Sequence, residues 1–179
     1  MNERATGSSK LEIDLGNDLR LEELFPTDAD QIVELVADDP EGVRMYGETA
    51  NLLFSSVATL AKSMERETNH HYIGIKVGDA LAGFLTYLTE PRQTARLSYY
   101  MGKDYRGQGL TKQALEALIE EFFERQGIYH LRIIVAEANL ASQATAKSVG
   151  FHNEPDFPSG PGEKLLRFDL DKPGHENDP

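Results

Sequence analysis

The 179-residue chain contains no cysteine, which excludes disulfides, thiolate nucleophiles and cysteine-ligated zinc together. No apolar run approaches the roughly 20 residues that cross a bilayer, so no membrane partner is expected. Residues 1–10 lack the apolar stretch and small-residue cleavage pattern of a secretory signal, and a cytoplasmic location is expected. Cations are scarce: 18 Lys and Arg stand against 30 Asp and Glu, a formal charge of −12. Nucleic-acid binding rests on clustered basic side chains, so no nucleic-acid partner is expected. The acidity favours solubility and also suits a cationic substrate. His70, His71, His130, His152 and His175 show no metal-ligand spacing, and no metal is assigned.

What is present is ordinary globular material, 40% hydrophobic and 27% charged, in a length that suits one domain. The polar stretch 1–10 and the Pro- and Gly-bearing stretch 171–179 read as disordered tails, leaving 11–170 as the domain. Alternation at Leu11, Ile13, Leu15 and at Leu19, Leu21, Leu24, broken by Gly16-Asn17-Asp18, predicts a hairpin. Thr27 and Asp30 form an acidic capping box opening a helix that carries Ile32, Leu35 and Val36. Residues 38–47, with Pro40, Gly42 and Gly47, read as a loop. Ala50, Leu53, Phe54, Val57, Leu60, Ala61 and Met64 recur at helical spacing and predict one helix over 48–66.

Three strands follow through Tyr72–Val77, Leu81–Leu88 and Leu97–Met101, with Gly74 and Gly83 read as sites of a bulge or close backbone approach. A long amphipathic helix from Leu110 to Phe123 ends near Gly127, and Leu131–Val135 is a short strand of buried type. A helix over Leu140–Val149 stops at Gly150; a Pro- and Gly-rich loop over 155–162 and a closing strand over Leu165–Leu170 complete the chain. The order predicts an α/β (α+β) fold, a mixed sheet covered by helices.

The chemistry concentrates between the third of these strands and the long helix. Gly107 and Gly109 let the backbone approach a ligand there, and the helix start presents free amides and a positive dipole end, an anion site. Lys103, Arg106 and Lys112 against Asp104 make this stretch locally +2. The third glycine of a dinucleotide fingerprint and the Gly-Lys-Ser/Thr of a nucleoside triphosphate loop are both missing.

Tyr105-Arg106-Gly107-Gln108-Gly109-Leu110-Thr111, the following helix and strand, then Asn139-Leu140-Ala141-Ser142 and Gly150-Phe151, resemble the acyl-CoA-binding core of GNAT (GCN5-related) N-acetyltransferases. Within that family the ribosomal-protein amino-terminal acetyltransferases look most similar. The resemblance implies a mostly antiparallel sheet of six to seven strands flanked by about four helices, with acetyl-CoA as co-substrate. It implies pyrophosphate on the backbone of Arg106, Gly107, Gln108, Gly109, Leu110 and Thr111, and pantetheine along the strand ending at Met101. Asn139 would bond the pantetheine arm, and Lys147 joins the cofactor-binding set.

Two departures follow. The tyrosine that many family members place seven residues after the asparagine is Ala146 here, so the acid for the leaving thiolate passes to Ser142. Where the related branch often has Glu-Ile-Gly-Tyr, this chain has Arg96-Leu97-Ser98-Tyr99. Glu90 is then the catalytic carboxylate proposed in its place, with Glu137 and His130 as weaker candidates. The implied reaction is direct attack by a primary amine, of a protein N-terminus or a small molecule, in a ternary complex; a monomer or homodimer is expected. The alternatives are a polyamine or antibiotic acetyltransferase, or a non-catalytic acyl-CoA-binding module.

Overall fold

Apolar residues alternate along the strands so that one sheet carries a core on each face. In the computed structural model, which describes residues 10–47, 50–155 and 164–175, the strands are β1 (Glu12–Gly16), β2 (Leu19–Leu24), β3 (His70–Val77), β4 (Ala80–Glu90), β5 (Thr94–Met101), β6 (His130–Ala136), β7 (His152–Glu154) and β8 (Leu165–Asp171). The helices are α1 (Ala29–Val36), α2 (Pro40–Tyr46), α3 (Ala50–Leu53), α4 (Val57–Arg66), α5 (Leu110–Glu121) and α6 (Leu140–Ser148). Ile73, Leu85, Leu97 and Ile133 meet Leu115, Leu118 and Phe122 on one face. Their neighbours Tyr72, Phe84 and Tyr100 meet Ile32, Val43 and Leu60 on the other. The mixed, mostly antiparallel sheet is as expected; eight strands and six α-helices, among the described residues, slightly exceed the expected counts.

The strand order is β1-β2-β3-β4-β5-β6-β8-β7. Among these pairs only β5 and β6 run parallel, and they pair only from Thr94↔His130 to Leu97↔Ile133. Beyond that rung β5 continues to Met101, still paired to β4 at Gly83, while β6 continues to Ala136, still paired to β8 at Leu165. Each arm is thus held from its outer side, and a V-shaped gap opens between them.

Several local expectations are corrected. Residues 38–47 are not a loop: Asp39 caps α2 by accepting from the Gly42 amide at 3.0 Å, with Pro40 in the first turn, a combination that favours helix starts. The helix expected over 48–66 is broken, because Ser56 is extended and its hydroxyl accepts from the Thr59 amide at 3.2 Å, capping α4 afresh. The capping box expected from Thr27 and Asp30 is replaced by Asp28, whose carboxylate accepts from the Phe25 amide at 2.9 Å. Gly83 sits where the β3–β4 register shifts, and a side chain there would meet the Tyr100 carbonyl at 2.6 Å. At the expected tails, Lys10 is ion-paired to Glu22 and Asp171 is the last residue of β8. The remainder of those tails, 1–9 and 176–179, and nearly all of the 155–162 loop lie outside the described residues.

Candidate active site

A cleft of ≈ 850 Å³ occupies the gap between β5 and β6, walled by α2, the glycine loop and the first turn of α6. The chain turns left-handed twice at its entrance, at Gly107 (φ +74°) and Gly109 (φ +75°), conformations that side-chain-bearing residues adopt at a cost. Gly109 precedes α5 with no side-chain cap. The first helical bond runs from the Gln113 amide to the Gly109 carbonyl at 3.2 Å, so the amides before it have no helical acceptor. A side chain at Gly107 would meet nothing within 4 Å, and one at Gly109 only the end of Gln113. An uncapped twelve-residue helix facing open space fits a pyrophosphate, and the gap behind it fits an extended pantetheine arm. Gly107, Gly109, Leu110, Thr111, Met101 and Asn139 line the cleft; the Gln108 side chain turns back to the Asp104 carbonyl at 3.1 Å.

Arg106 also borders the cleft, but its guanidinium is engaged by the Asp39 carboxylate, and its Nε donates to the Met101 carbonyl at 2.9 Å. Asp39 is buried and accepts as well from the Tyr100 hydroxyl at 2.7 Å. Burial pushes the Asp39 carboxyl up, but the bonds from Tyr100, the Gly42 amide and Arg106 together outweigh it, and the net shift is downward. Burial, reinforced by the bond to Asp39, pushes the Tyr100 phenol up.

Ser142 lies on the opposite wall. Its hydroxyl donates to Tyr99 Oη at 2.8 Å, and the Tyr99 hydroxyl donates to the Ser142 carbonyl at 2.8 Å. Burial pushes the Tyr99 phenol up to about 12, so it stays protonated at neutral pH. The capping role is taken by Asn139, whose side chain accepts from the Ser142 amide at 3.1 Å, leaving the Ser142 hydroxyl to the cleft.

Other expected residues fall elsewhere. Glu90 pairs with Thr94, at the opposite end of the β4–β5 ladder from Met101. Five residues of strand from Thr94 put it about 17 Å from Tyr99, ion-paired to Arg132 at 3.4 Å and Arg96 at 3.7 Å and outside the cleft lining, and this corrects its assignment as a catalytic carboxylate. His130 bonds Asp171 at that same far end, and Glu137 is tied to Lys164 at 2.5 Å. Lys147 is exposed and lies over the Phe168 ring at 5.8 Å, outside the cleft lining. Among the described lining residues the one carboxylate is Glu41. Its hydrogen bonds from Arg44, at 2.7 and 3.1 Å, hold it below the usual carboxylate range. Sequence reasoning missed Asp39, Glu41 and Tyr99; Asp39-Pro40 is a legible helix start, and strand alternation places Tyr99 on the face of Leu97. Among the described residues no His, Asp and Glu cluster is placed to hold a metal, and no helix is long and apolar enough to cross a membrane.

The acetyltransferase (GNAT) domain family matches residues 18–152, and the chain belongs to that family. It is an acetyltransferase whose co-substrate is acetyl-CoA. Among particular relatives, YdaF of Bacillus subtilis (strain 168), provisionally named a ribosomal N-acetyltransferase, is 25% identical over 144 residues, 73% of this chain and 76% of its own. Of solved structures, RimL, a ribosomal L7/L12 α-N-protein acetyltransferase in complex with coenzyme A, has a TM-score of 0.79 at 19% identity, covering 90% of this chain and 98% of that one. The microcin C7 self-immunity acetyltransferase MccE, in complex with acetyl-CoA and AMP, has a TM-score of 0.76 at 17% identity, covering 89% and 96%.

Proposed function

We propose that this enzyme acetylates the α-amino group of a polypeptide N-terminus by direct attack in a ternary complex, with Ser142 as the proton donor to the departing sulfur. The observation that carries the acceptor class is that the described cleft lining offers no unpaired carboxylate. Its one described carboxylate, Glu41, is paired with Arg44, and its other cations, Arg106 and Lys112, are paired with Asp39 and Glu116. Such a lining holds no unpaired carboxylate to attract a polycation, so the acidity of the whole molecule does not argue for polyamines. The lone carboxylate is moreover committed to Arg44 and has no proton-accepting role to spare.

An acceptor must therefore reach the cleft already uncharged. An α-amine with pKa near 7.8 is roughly one-third neutral at about pH 7.5, whereas a lysine-type amine near 10.4 is only about 0.1% neutral. The names of RimL and YdaF, ribosomal-protein and ribosomal N-acetyltransferases, agree with that acceptor class.

Acetyl-CoA supplies a thioester carbonyl open to attack by such an amine. The α5 amides hold its phosphates, and Lys112 adds a cation beside them. As the C–N bond forms and the C–S bond breaks, Ser142 gives its Oγ proton to the departing sulfur, the Tyr99 Oη–H turns from the Ser142 carbonyl to Oγ and stabilises the charge left there, and the proton released by the acetylated nitrogen returns to Oγ through solvent.

Acetyl-CoA incubated with peptides bearing free N-termini, spermidine and an aminoglycoside, reading thiol release, tests this reading. The expected result is turnover on the peptides, with kcat/KM rising with pH through the α-amine range. Preference for spermidine or the aminoglycoside overturns the acceptor class, and binding without any turnover favours a non-catalytic module.

A further inference from the structure

We propose that Asp39 and Arg106 are a positioning pair that locks the cofactor loop to helix α2, so that coenzyme binding at the loop sets the acceptor wall. Three elements donate to one buried carboxylate: α2 through the Gly42 amide three residues on, β5 through the Tyr100 hydroxyl 61 residues on, and the loop through the Arg106 guanidinium 67 residues on. Arg106 is itself fixed, because Nε donates to the Met101 carbonyl at 2.9 Å and the guanidinium carbon lies 5.7 Å from the centre of the Tyr100 ring. It is followed directly by Gly107, so a displacement of the glycine loop pulls on Asp39. Asp39 is followed directly by α2, whose Glu41, Arg44, Met45 and Tyr46 form a wall of the cleft.

Gly42 gives an independent sign that the contact is built in. Helix interiors disfavour glycine, and its φ is not left-handed, so conformation does not call for it. Space does: a Cβ at position 42 would lie 2.1 Å from Asp39 Oδ2 and 2.6 Å from Arg106 Nη2. The missing side chain is what lets carboxylate and guanidinium meet against the helix backbone.

The inference concerns the link between the two walls and does not depend on which amine is acetylated. Hydrogen–deuterium exchange of residues 40–46, with and without coenzyme A, tests it in wild type, Arg106→Ala, Arg106→Lys and Gly42→Ala, with coenzyme affinity measured by calorimetry. In wild type, coenzyme A should slow exchange in α2. Arg106→Ala and Gly42→Ala should bind coenzyme A within about threefold of wild type yet lose that response, and Arg106→Lys should restore part of it. Gly42→Ala adds a methyl group and removes no charge, so it still reads the link if Arg106→Ala fails to fold. With any productive acceptor, the two variants should raise its KM more than they lower kcat. Loss of coenzyme affinity beyond tenfold in Arg106→Ala would make Arg106 a phosphate ligand and overturn the proposal. An α2 response that is absent in wild type, or retained in Gly42→Ala, overturns it equally. Failure of the peptide acceptors alone sinks the proposed acceptor class and leaves this link standing.

Discussion

Ser142 stands in the first turn of α6 with its amide capped by Asn139 and its hydroxyl on Tyr99, which separates its backbone role from its side-chain role. Ser142→Ala should therefore leave coenzyme A affinity near wild type and lower kcat about 100-fold, the low end for general acid assistance. Tyr99→Phe removes the group that steadies Oγ and should lower kcat by a smaller factor. Steady-state kinetics with calorimetry on both variants checks the pattern, and near-normal turnover in Ser142→Ala would remove that residue from the chemistry. Asp39 makes a different prediction, in acid. Its folded pKa lies below the unfolded value of about 3.8, so its ionised form stabilises the fold above that value. The contribution is lost as pH falls through the lower folded pKa. Wild type should unfold at higher denaturant than Asp39→Asn near neutrality, with the gap closing below about pH 3.8; a gap independent of pH would show that the charge is not what matters.

The strand–loop–helix unit from β5 to α5 was legible because it depends on local signals, two glycines before an amphipathic helix. Asn139 and Ser142 were singled out through the family resemblance, and seven of the eight strands were read in chain order from their apolar patterning, β7 being missed. What escaped were contacts across the chain. Nothing near Asp39 in sequence announces Tyr100 or Arg106, and Glu90 was chosen by closeness in sequence although β4 carries it the length of the sheet from the loop. The break at Ser56 was hidden because Ala50, Phe54 and Leu60 face the same core on both sides of it. At the loop itself, Gly107→Ala should cost about 1 kcal/mol of stability through its left-handed φ while nearly sparing coenzyme A binding. Gly109→Val puts a branched side chain at the uncapped start of α5 and should weaken binding at least tenfold. Calorimetric titration compares them, and normal binding by Gly109→Val would remove α5 as the phosphate cradle.

The two cores lie on opposite faces of one sheet, and the cleft opens where that sheet divides, so a ligand there contacts elements belonging to both. Coenzyme A at about 100 times its dissociation constant should stabilise the native state by about 2.7 kcal/mol. For a domain of this size that is a rise in Tm of roughly 5–10 °C, measurable by scanning calorimetry, and no rise would mean that coenzyme A does not bind the native state preferentially. The division of the sheet has another side. Sheet margins elsewhere in proteins are guarded by charge, bulges or covering segments, since a bare margin recruits strands from other molecules. Here β5 past Leu97 and β6 past Ile133 each turn a margin inward, where only a slender, extended guest fits. The fold therefore turns these two margins into a slot, sheltered from other molecules, and coenzyme A bound there as proposed would close that slot to another chain.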